Sequence, residues 1–198
     1  MAYNLFTMTQ LQMEYQLLIT EKSSVFADVP PAIIPDTLRA TLRKQTVLAL
    51  RSGSEKARSE LIITPLLVEV YEQMQERVNL FSGVEFDVDK SRGLTGYCDF
   101  LFSISSLHRE IQAPVISVVE AKQENINSAI PQCFAELVAA QIFNAKSEWS
   151  IDTLYGVITT GEVWKFLRLR GTDATIDTDD YFLNQPEKIV GIILSMLR

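Results

Sequence analysis

Apolar and polar residues alternate along the chain with periods that predict both helices and strands. Apolar side chains recur three and four positions apart between residues 36 and 50, which is the spacing of a helix with one buried face. A second helix is predicted from Ser54 to about Val78, with Pro65 kinking or splitting it, because proline lacks a backbone donor and clashes one turn back. A helical segment is also predicted at residues 9–20.

Five strands follow from the apolar pattern of the central and C-terminal regions. Residues 84–88 alternate strictly, as in an edge or half-exposed strand, whereas residues 94–104 and 114–121 are nearly continuous in apolar side chains, as in strands covered on both faces. Further strands are predicted at residues 154–160 and 163–169, and helices after Ser128 and from Pro186 to Leu197.

The order of these elements predicts an α/β fold in which helices flank a central mixed sheet. We expect residues 1–53 to form an N-terminal helical extension that packs on an α/β domain of residues 54–198, the whole being one globular unit. A hydrophobic content of 47% in 198 residues is ample for a core. The chain carries no apolar run of membrane-spanning length and no secretory leader pattern, which predicts a cytoplasmic protein without a membrane segment.

Cysteine and histidine content narrows the chemistry. Cys98 and Cys133 each lie inside an apolar element, which predicts buried, reduced thiols rather than a disulfide framework. The single histidine, His108, lies in a polar connection and is predicted to be a loop residue. With a single histidine, the chain has too few residues for a histidine-rich zinc site and almost no basis for a Ser/His/Asp triad.

The net charge of −7 argues against a protein that coats nucleic acid through a uniformly basic surface. The charge is uneven, however, because residues 37–58 hold six basic side chains and one acid, Glu55. Either these bases solvate a helix or they bind phosphate. The residues predicted to bind nucleic acid are Arg39, Arg43, Lys44, Lys56 and Arg58.

The strongest chemical signal is Glu120-Ala121-Lys122 at the end of an apolar strand, with Asp99 inside another apolar strand upstream. Alternation puts Glu120 and Lys122 on one face, so both can converge with Asp99 if the two strands are neighbours. A carboxylate buried without a partner is costly, so Asp99 needs a specific role. Asp99, Glu120 and the carbonyl of Ala121 are candidate Mg²⁺ ligands, and Lys122 would offset charge at a scissile phosphate.

Two helices supply further candidates. Gln132 and Glu136 are four residues apart and share a face of the helix that follows the Glu-x-Lys strand. Gln132 is predicted to contact substrate or water. Glu60, on the helix before the sheet, is predicted to be a third carboxylate at the metal, with Glu55 as a weaker candidate; a solvated helix face explains Glu60 equally well.

In this order and on these elements, Glu60, Asp99, Glu120-Ala121-Lys122 and Gln132-x-x-x-Glu136 resemble the PD-(D/E)XK nuclease superfamily over about residues 54–170. The segment from Ser54 to Leu67 also resembles the opening helix of nuclease domains in type I restriction subunits. Those domains carry Gln-x-x-x-Tyr where this chain has Glu136, and Cys98 stands where the family name has proline.

The resemblance implies a restriction-endonuclease-like αβββαβ core, dependence on Mg²⁺ with Mn²⁺ as a substitute, DNA as the substrate, and a homodimer. Three alternatives are open at this point. The first is a noncatalytic binding or scaffold module of the same fold, and the second is metal-assisted hydrolysis of a small phosphorylated compound. The third is a purely structural ion pair between Asp99 and Lys122.

Overall fold

The computed structural model describes residues 2–75, 77–104, 109–122 and 125–198, so His108 lies outside the described residues. The helices are α1 (Met8–Tyr15), α2 (Asp36–Ser52), α3 (Glu55–Arg58), α4 (Thr64–Gln73), α5 (Ile130–Lys146) and α6 (Pro186–Met196). The strands are β1 (Leu18–Lys22), β2 (Asn79–Glu85), β3 (Tyr97–Ser103), β4 (Val115–Ala121), β5 (Leu154–Thr159), β6 (Val163–Arg170), β7 (Asp173–Asp177) and β8 (Tyr181–Phe182).

The strands form one open mixed sheet in the order β1-β7-β6-β5-β4-β3-β2, with β8 pairing to β6. β4 and β5 are parallel, as are β1 and β7, whereas the other neighbours are antiparallel. The predicted α/β class, with helices flanking a mixed sheet, is confirmed. The edge strand β2 begins at Asn79, so only Val84 and Glu85 of the strand predicted at residues 84–88 belong to it. Every helix in the described ranges is too short or too polar to cross a bilayer.

Helices cover both faces of the sheet because successive strand residues point in opposite directions. On one face, α2, α4 and α6 bury residues such as Leu66 and Ile193 together with Phe102 of β3. On the other face, α1 and α5 bury residues such as Leu137 together with Leu101 of β3. Burying such a side chain fully contributes roughly 1.5–3 kcal/mol, so these two layers stabilise the whole sheet.

The connection from α3 to α4 explains how the chain accommodates Pro65. Ser54 caps α3 by accepting a hydrogen bond from the backbone of Ala57. The helix then widens into a π-helical turn, Ser59–Ile63, in which the carbonyl of Ser59 accepts from the backbone N–H of Thr64. Pro65 falls in the first turn of α4. The predicted kink or split near Pro65 takes the form of a wider turn before the proline, and the backbone stays helical from α3 through this turn into α4.

The N-terminal region is less helical than the pattern at residues 9–20 predicts. α1 ends at Tyr15, because Gln16 adopts the left-handed conformation, and the chain continues as β1 beside β7. Leu38 and Leu42 of α2 are buried in the same core as α4 and α6. Residues 1–53 thus contribute a strand and core side chains, and the boundary at residue 53 stays a prediction.

Gly156 of β5 permits α5 to approach the sheet closely. A Cβ at this position would lie 2.5 Å from Sγ of Cys133 and 3.2 Å from Cβ of Leu167. We expect Gly156→Ala to lower the free energy of unfolding by about 1–3 kcal/mol, measured by urea denaturation. Gly53→Ala is the control, because it meets open space and only its left-handed conformation costs about 1 kcal/mol. Equal losses in both variants would contradict close packing at Gly156.

Candidate active site

Asp99 and Glu120 face each other across neighbouring strands. Phe100 of β3 pairs with Val119 of β4, and one step further the antiparallel register sets Asp99 opposite Glu120. Oδ2 of Asp99 accepts a hydrogen bond of 2.8 Å from the backbone N–H of Ala121, so a side chain satisfies this strand-end donor. The two strands are therefore neighbours, which is the condition that the convergence of these side chains requires.

Glu120 is the buried centre of the cluster, with 3% of its surface exposed. Its Oε1 accepts hydrogen bonds from Nζ of Lys122 at 2.5 Å and from Nε2 of Gln132 at 2.6 Å. Its Oε2 is buried and has no hydrogen-bond partner among the described residues. One oxygen of Glu120 thus organises the protein side chains. The carboxyl group of Glu136 is close enough to donate a hydrogen bond to Glu120 when it is protonated, and this contact lowers the pKa of Glu120 against the effect of burial.

Gln132 joins the strand residues to α5. Its Oε1 accepts from Nζ of Lys122 at 3.3 Å, and its Nε2 also donates to Oε1 of Glu136 at 3.1 Å. Glu136 is fully buried, and its Oε2 has no partner within the described part of the chain. Gln132 and Glu136 share one helix face, as their spacing predicts. Both ends of the Gln132 amide bond protein atoms, which favours a positioning role over the predicted contact with substrate or water.

The electrostatics of the cluster follow from burial and crowding of its carboxyl groups. Burial, followed by the charge of Asp99, raises the pKa of Glu120 to about 7. Burial, followed by the charge of Glu120, raises the pKa of Glu136 well above its ordinary value. Burial also raises the pKa of Asp99, although the bond from Ala121 opposes this.

Lys122 is the cation of the cluster. Burial lowers its pKa, but the carboxylates of Glu120 and Asp99 outweigh burial and raise the pKa above its ordinary value. Lys122 therefore remains charged at neutral pH. The carboxylates of Glu120 and Asp99 both act on this single ammonium, so a second cation beside them would be stabilised.

The donor set fits Mg²⁺ better than a metal that needs a complete protein cage. In the described part of the chain, no three or more His, Cys, Asp or Glu side chains form a group that could hold a metal. Mg²⁺ commonly takes only one or two carboxylates, completing its shell with water and substrate phosphate. Asp99 and the unpartnered Oε2 of Glu120 supply that chemistry, and the carbonyl of Ala121 adds an oxygen at the same strand end.

The two candidate glutamates of the helix before the sheet are both exposed. Glu60 lies in the π-helical turn, with a side chain that is 60% exposed and paired with Lys56 at 3.2 Å. No hydrogen bond or ion pair of the described residues joins Glu60 to the cluster, and its predicted role as a metal ligand stays a prediction. Glu55 of α3 is the acid whose charge contributes to the raised pKa of Lys122.

The predicted phosphate-binding residues have different environments. Arg58 is largely buried and bonds the carbonyl of Thr160 at 3.0 Å and Glu162 at 2.9 Å. Arg39 pairs with Glu187 as well as Asp36, and Lys56 pairs with Glu60.

Arg43 and Lys44 are exposed on α2, and no ion pair of the described residues involves them. Arg43 lines a groove of about 890 Å³ that also includes Thr160 and Glu162. Because Thr160 directly follows Thr159, the partner of Ala121 in the sheet, one residue of this groove lies at the same end of the sheet as the candidate site.

The two thiols contribute packing. Cys98 and Cys133 are free and buried, as predicted. Burial raises the pKa of both thiols well above the ordinary value, so neither is a reactive thiolate at neutral pH.

No protein-family model, curated protein or solved structure matches this chain. Its function is therefore inferred from the geometry of the cluster itself.

Proposed function

We propose that this protein is a Mg²⁺-dependent nuclease of the PD-(D/E)XK superfamily that hydrolyses DNA phosphodiesters. One observation carries the proposal: Asp99, Glu120 and Lys122 converge with Gln132 at one end of the sheet, and a buried oxygen of Glu120 lacks a partner among the described residues. A buried carboxylate oxygen without a hydrogen-bond partner lowers the free energy of unfolding. Unfavourable features of this kind are concentrated at functional sites, where ligand binding requires them.

The order of elements supports a restriction-endonuclease-like αβββαβ core. A helix, α4, precedes three strands, β2, β3 and β4, which pair as antiparallel neighbours. α5 then crosses back to β5, which is parallel to β4. Asp99 and Glu120 lie on two of these strands, Lys122 directly follows β4, and Gln132 lies on the crossover helix, which supports the proposal.

In this proposal each residue has a defined task. Asp99 and Glu120 hold the divalent ion, with the carbonyl of Ala121 as an additional ligand. The bound ion supplies Lewis acidity, which lowers the pKa of water and offsets charge on the phosphate. Lys122 stabilises negative charge that develops on the phosphate oxygens. Gln132 orients Glu120 and Lys122 through its two hydrogen bonds.

DNA would approach along the exposed bases of α2. Among the five residues predicted to bind nucleic acid, Arg43 and Lys44 have no acidic partner in the described part of the chain, whereas Arg39, Lys56 and Arg58 are paired with acids. A bound strand must therefore either contact Arg43 and Lys44 or displace those partners. We also propose a cytoplasmic location, for which the free, buried thiols are suited, and a homodimer, which the resemblance implies.

The proposal is tested by incubating purified protein with supercoiled plasmid and with single-stranded oligonucleotide in Mg²⁺, Mn²⁺ or EDTA. We expect cleavage only with the metals, and we expect Asp99→Asn to weaken Mn²⁺ binding about tenfold or more in calorimetry. Asp152→Asn is the matched control, because Asp152 is an exposed aspartate away from the cluster. Cleavage in EDTA, or Mn²⁺ binding that is unchanged in Asp99→Asn, would contradict the proposal.

A noncatalytic binding or scaffold module of the same fold is the second candidate. It is favoured by the ion pair between Lys122 and Glu120, which gives Glu120 a structural partner. The two candidates differ in metal binding. If calorimetry finds no Mg²⁺ or Mn²⁺ binding that depends on Asp99 and Glu120, the scaffold function is favoured instead.

A further inference from the structure

A second polar depression lies on the sheet, away from the candidate active site. It encloses about 270 Å³ and is lined by Thr20, Lys22, Arg168, Arg170, Asp173 and Thr175. Along β5, Tyr155 pairs with Arg168, whereas Thr159 pairs with Ala121 of β4. The depression is therefore at the opposite end of β5 from the active-site cluster, and its ligand is independent of the proposed nuclease function.

The sheet register explains why these side chains meet. Arg168 of β6 pairs with Thr175 of β7, which in turn pairs with Thr20 of β1, so the three residues form a row across three strands. Arg170 and Lys22 are each two residues from a member of this row. Because strand side chains repeat with a period of two, both point to the same face as the row.

The depression carries more positive charge than its surroundings neutralise. It contains three cations and one carboxylate, Asp173, and no ion pair of the described residues involves any of the four. Like charges that are neighbours on one sheet face destabilise each other. In a chain with a net charge of −7, acids to pair with them are plentiful elsewhere. In the sheet register Asp173 lies opposite Arg170 and Asp177 lies opposite Lys22, whereas Arg168 lies between Tyr155 and Thr175 and has no acid opposite it.

Hydroxyl groups complete the lining. Oγ1 of Thr20 and Oγ1 of Thr175 are 3.5 Å apart, and Thr20 is also 3.5 Å from the carbonyl of Ala174. These distances are at the long limit of hydrogen bonding, so both hydroxyls can turn to a better acceptor. Guanidinium groups beside hydroxyl donors are the combination that binds tetrahedral oxyanions, and arginine does so with paired N–H groups.

We propose that this depression binds the phosphate group of a small phosphorylated molecule. Arg168 and Arg170 supply the principal charge-assisted hydrogen bonds, Lys22 adds charge, Thr175 donates from the floor, and Thr20 donates from the edge strand β1. The volume of about 270 Å³ is at the lower end for ligand pockets, so it admits a phosphate with a small substituent and is too small for a duplex.

Calorimetric titration with inorganic phosphate and with adenosine monophosphate tests the proposal. We expect saturable binding at one site per chain, and about tenfold or more weaker binding in Arg168→Gln. Arg51→Gln is the matched control, because Arg51 is an exposed arginine on α2 outside the depression. Arg168→Lys retains the charge but loses the paired donors, and an intermediate loss is expected. Binding that is unsaturable, or equal in wild type and in Arg168→Gln with Arg170→Gln, would overturn the proposal.

Two further measurements identify the ligand class and guard against misfolding. Phosphate should slow amide hydrogen exchange in β1, because this edge strand forms a wall of the depression, and it should do so equally in Asp99→Asn. If Arg168→Gln fails to fold, Arg170→Gln replaces it in the same titration. An oligonucleotide without a terminal phosphate should not displace inorganic phosphate. Displacement at equal affinity would assign the site to nucleic acid and end the small-molecule proposal.

Discussion

Lys122→Met is expected to lower the rate of metal-dependent DNA cleavage by about 10²–10³-fold while leaving Mn²⁺ affinity unchanged or higher. Nζ of Lys122 lies 2.5 Å from Oε1 of Glu120, so the ammonium competes with a metal ion for that carboxylate. Methionine keeps an unbranched apolar stem and removes the charge. The variant therefore removes the stabilisation of the phosphate oxygens without removing a metal ligand.

The measurement pairs single-turnover cleavage with calorimetric Mn²⁺ titration on the same samples. Lys90→Met is the control, since the side chain of Lys90 is 77% exposed and its pairing with Asp87 lies outside the cluster. Cleavage by Lys122→Met within a few-fold of wild type would assign Lys122 a structural role. A loss of both cleavage and Mn²⁺ binding would mean that the lysine organises the site instead of acting on substrate.

The second large effect concerns stability. Glu136→Met is expected to raise the free energy of unfolding at pH 8 by about 1–3 kcal/mol, because a fully buried carboxyl group with an unpartnered Oε2 is replaced by an apolar side chain of similar length. Glu136 contacts Gln132, so the same variant should also reduce cleavage by loosening the orientation of Glu120 and Lys122. A gain in stability together with a loss of activity would show that Glu136 lowers the free energy of unfolding but is needed for cleavage.

The pH dependence of stability gives this prediction a sign. The folded-state pKa values of Glu120 and Glu136 are raised, so the folded protein holds their protons more tightly than the unfolded chain does. The stability that these groups contribute is complete below the ordinary glutamate pKa and is lost as the pH rises through the folded values. For Glu120, a rise from 4.5 to about 7 corresponds to a loss on the order of 3 kcal/mol.

Thermal and urea denaturation between pH 5 and 9 should therefore show Glu136→Met gaining on wild type as the pH increases. Glu72→Met is the control, because Glu72 is an exposed helical glutamate of α4 outside the buried cluster. A difference between Glu136→Met and wild type that does not vary with pH would contradict a raised pKa at Glu136.

The parts of the fold that the sequence predicts well are those where burial and periodicity agree. β4 is buried at every position, and its uninterrupted apolar run made it recognisable. Asp99 and Glu120 stood out because charged residues inside such strands are costly. α5 was recognisable from its apolar face and from Pro131, which falls in its first turn as expected.

β1 and β7 were missed because their pairing is a long-range property. Leu18 pairs with Asp173, so neither short, largely polar segment carries the signal alone. Asp177 of β7 is 1% exposed, and it is satisfied by the backbone of Asp179 and the hydroxyl of Tyr181. A buried aspartate of this kind looks like a loop residue until its partners are known.

The rotational phase of α3 relative to α4 also lay beyond periodicity. The π-helical turn, Ser59–Ile63, inserts one residue more than a regular helix needs. If the buried face of the helix is counted back from α4 at 3.6 residues per turn, the wrong side chains of α3 are therefore assigned to that face. Pro65 is visible in the sequence and predicts an irregular helix, but the sequence does not show that the irregularity is a wide turn at residues 59–63.

The extra residue in the π-helical turn also determines how α3 is rotated about the helix axis relative to α4. Each residue advances a helix by about 100°. Removing one residue from the π-helical turn would therefore make the helix regular and would rotate α3 by about a quarter-turn around its axis. Arg58 would leave the carbonyl of Thr160, and Glu55 would turn away from Lys122. Chains that share this architecture but lack the insertion must therefore bring a different side chain to the end of β5.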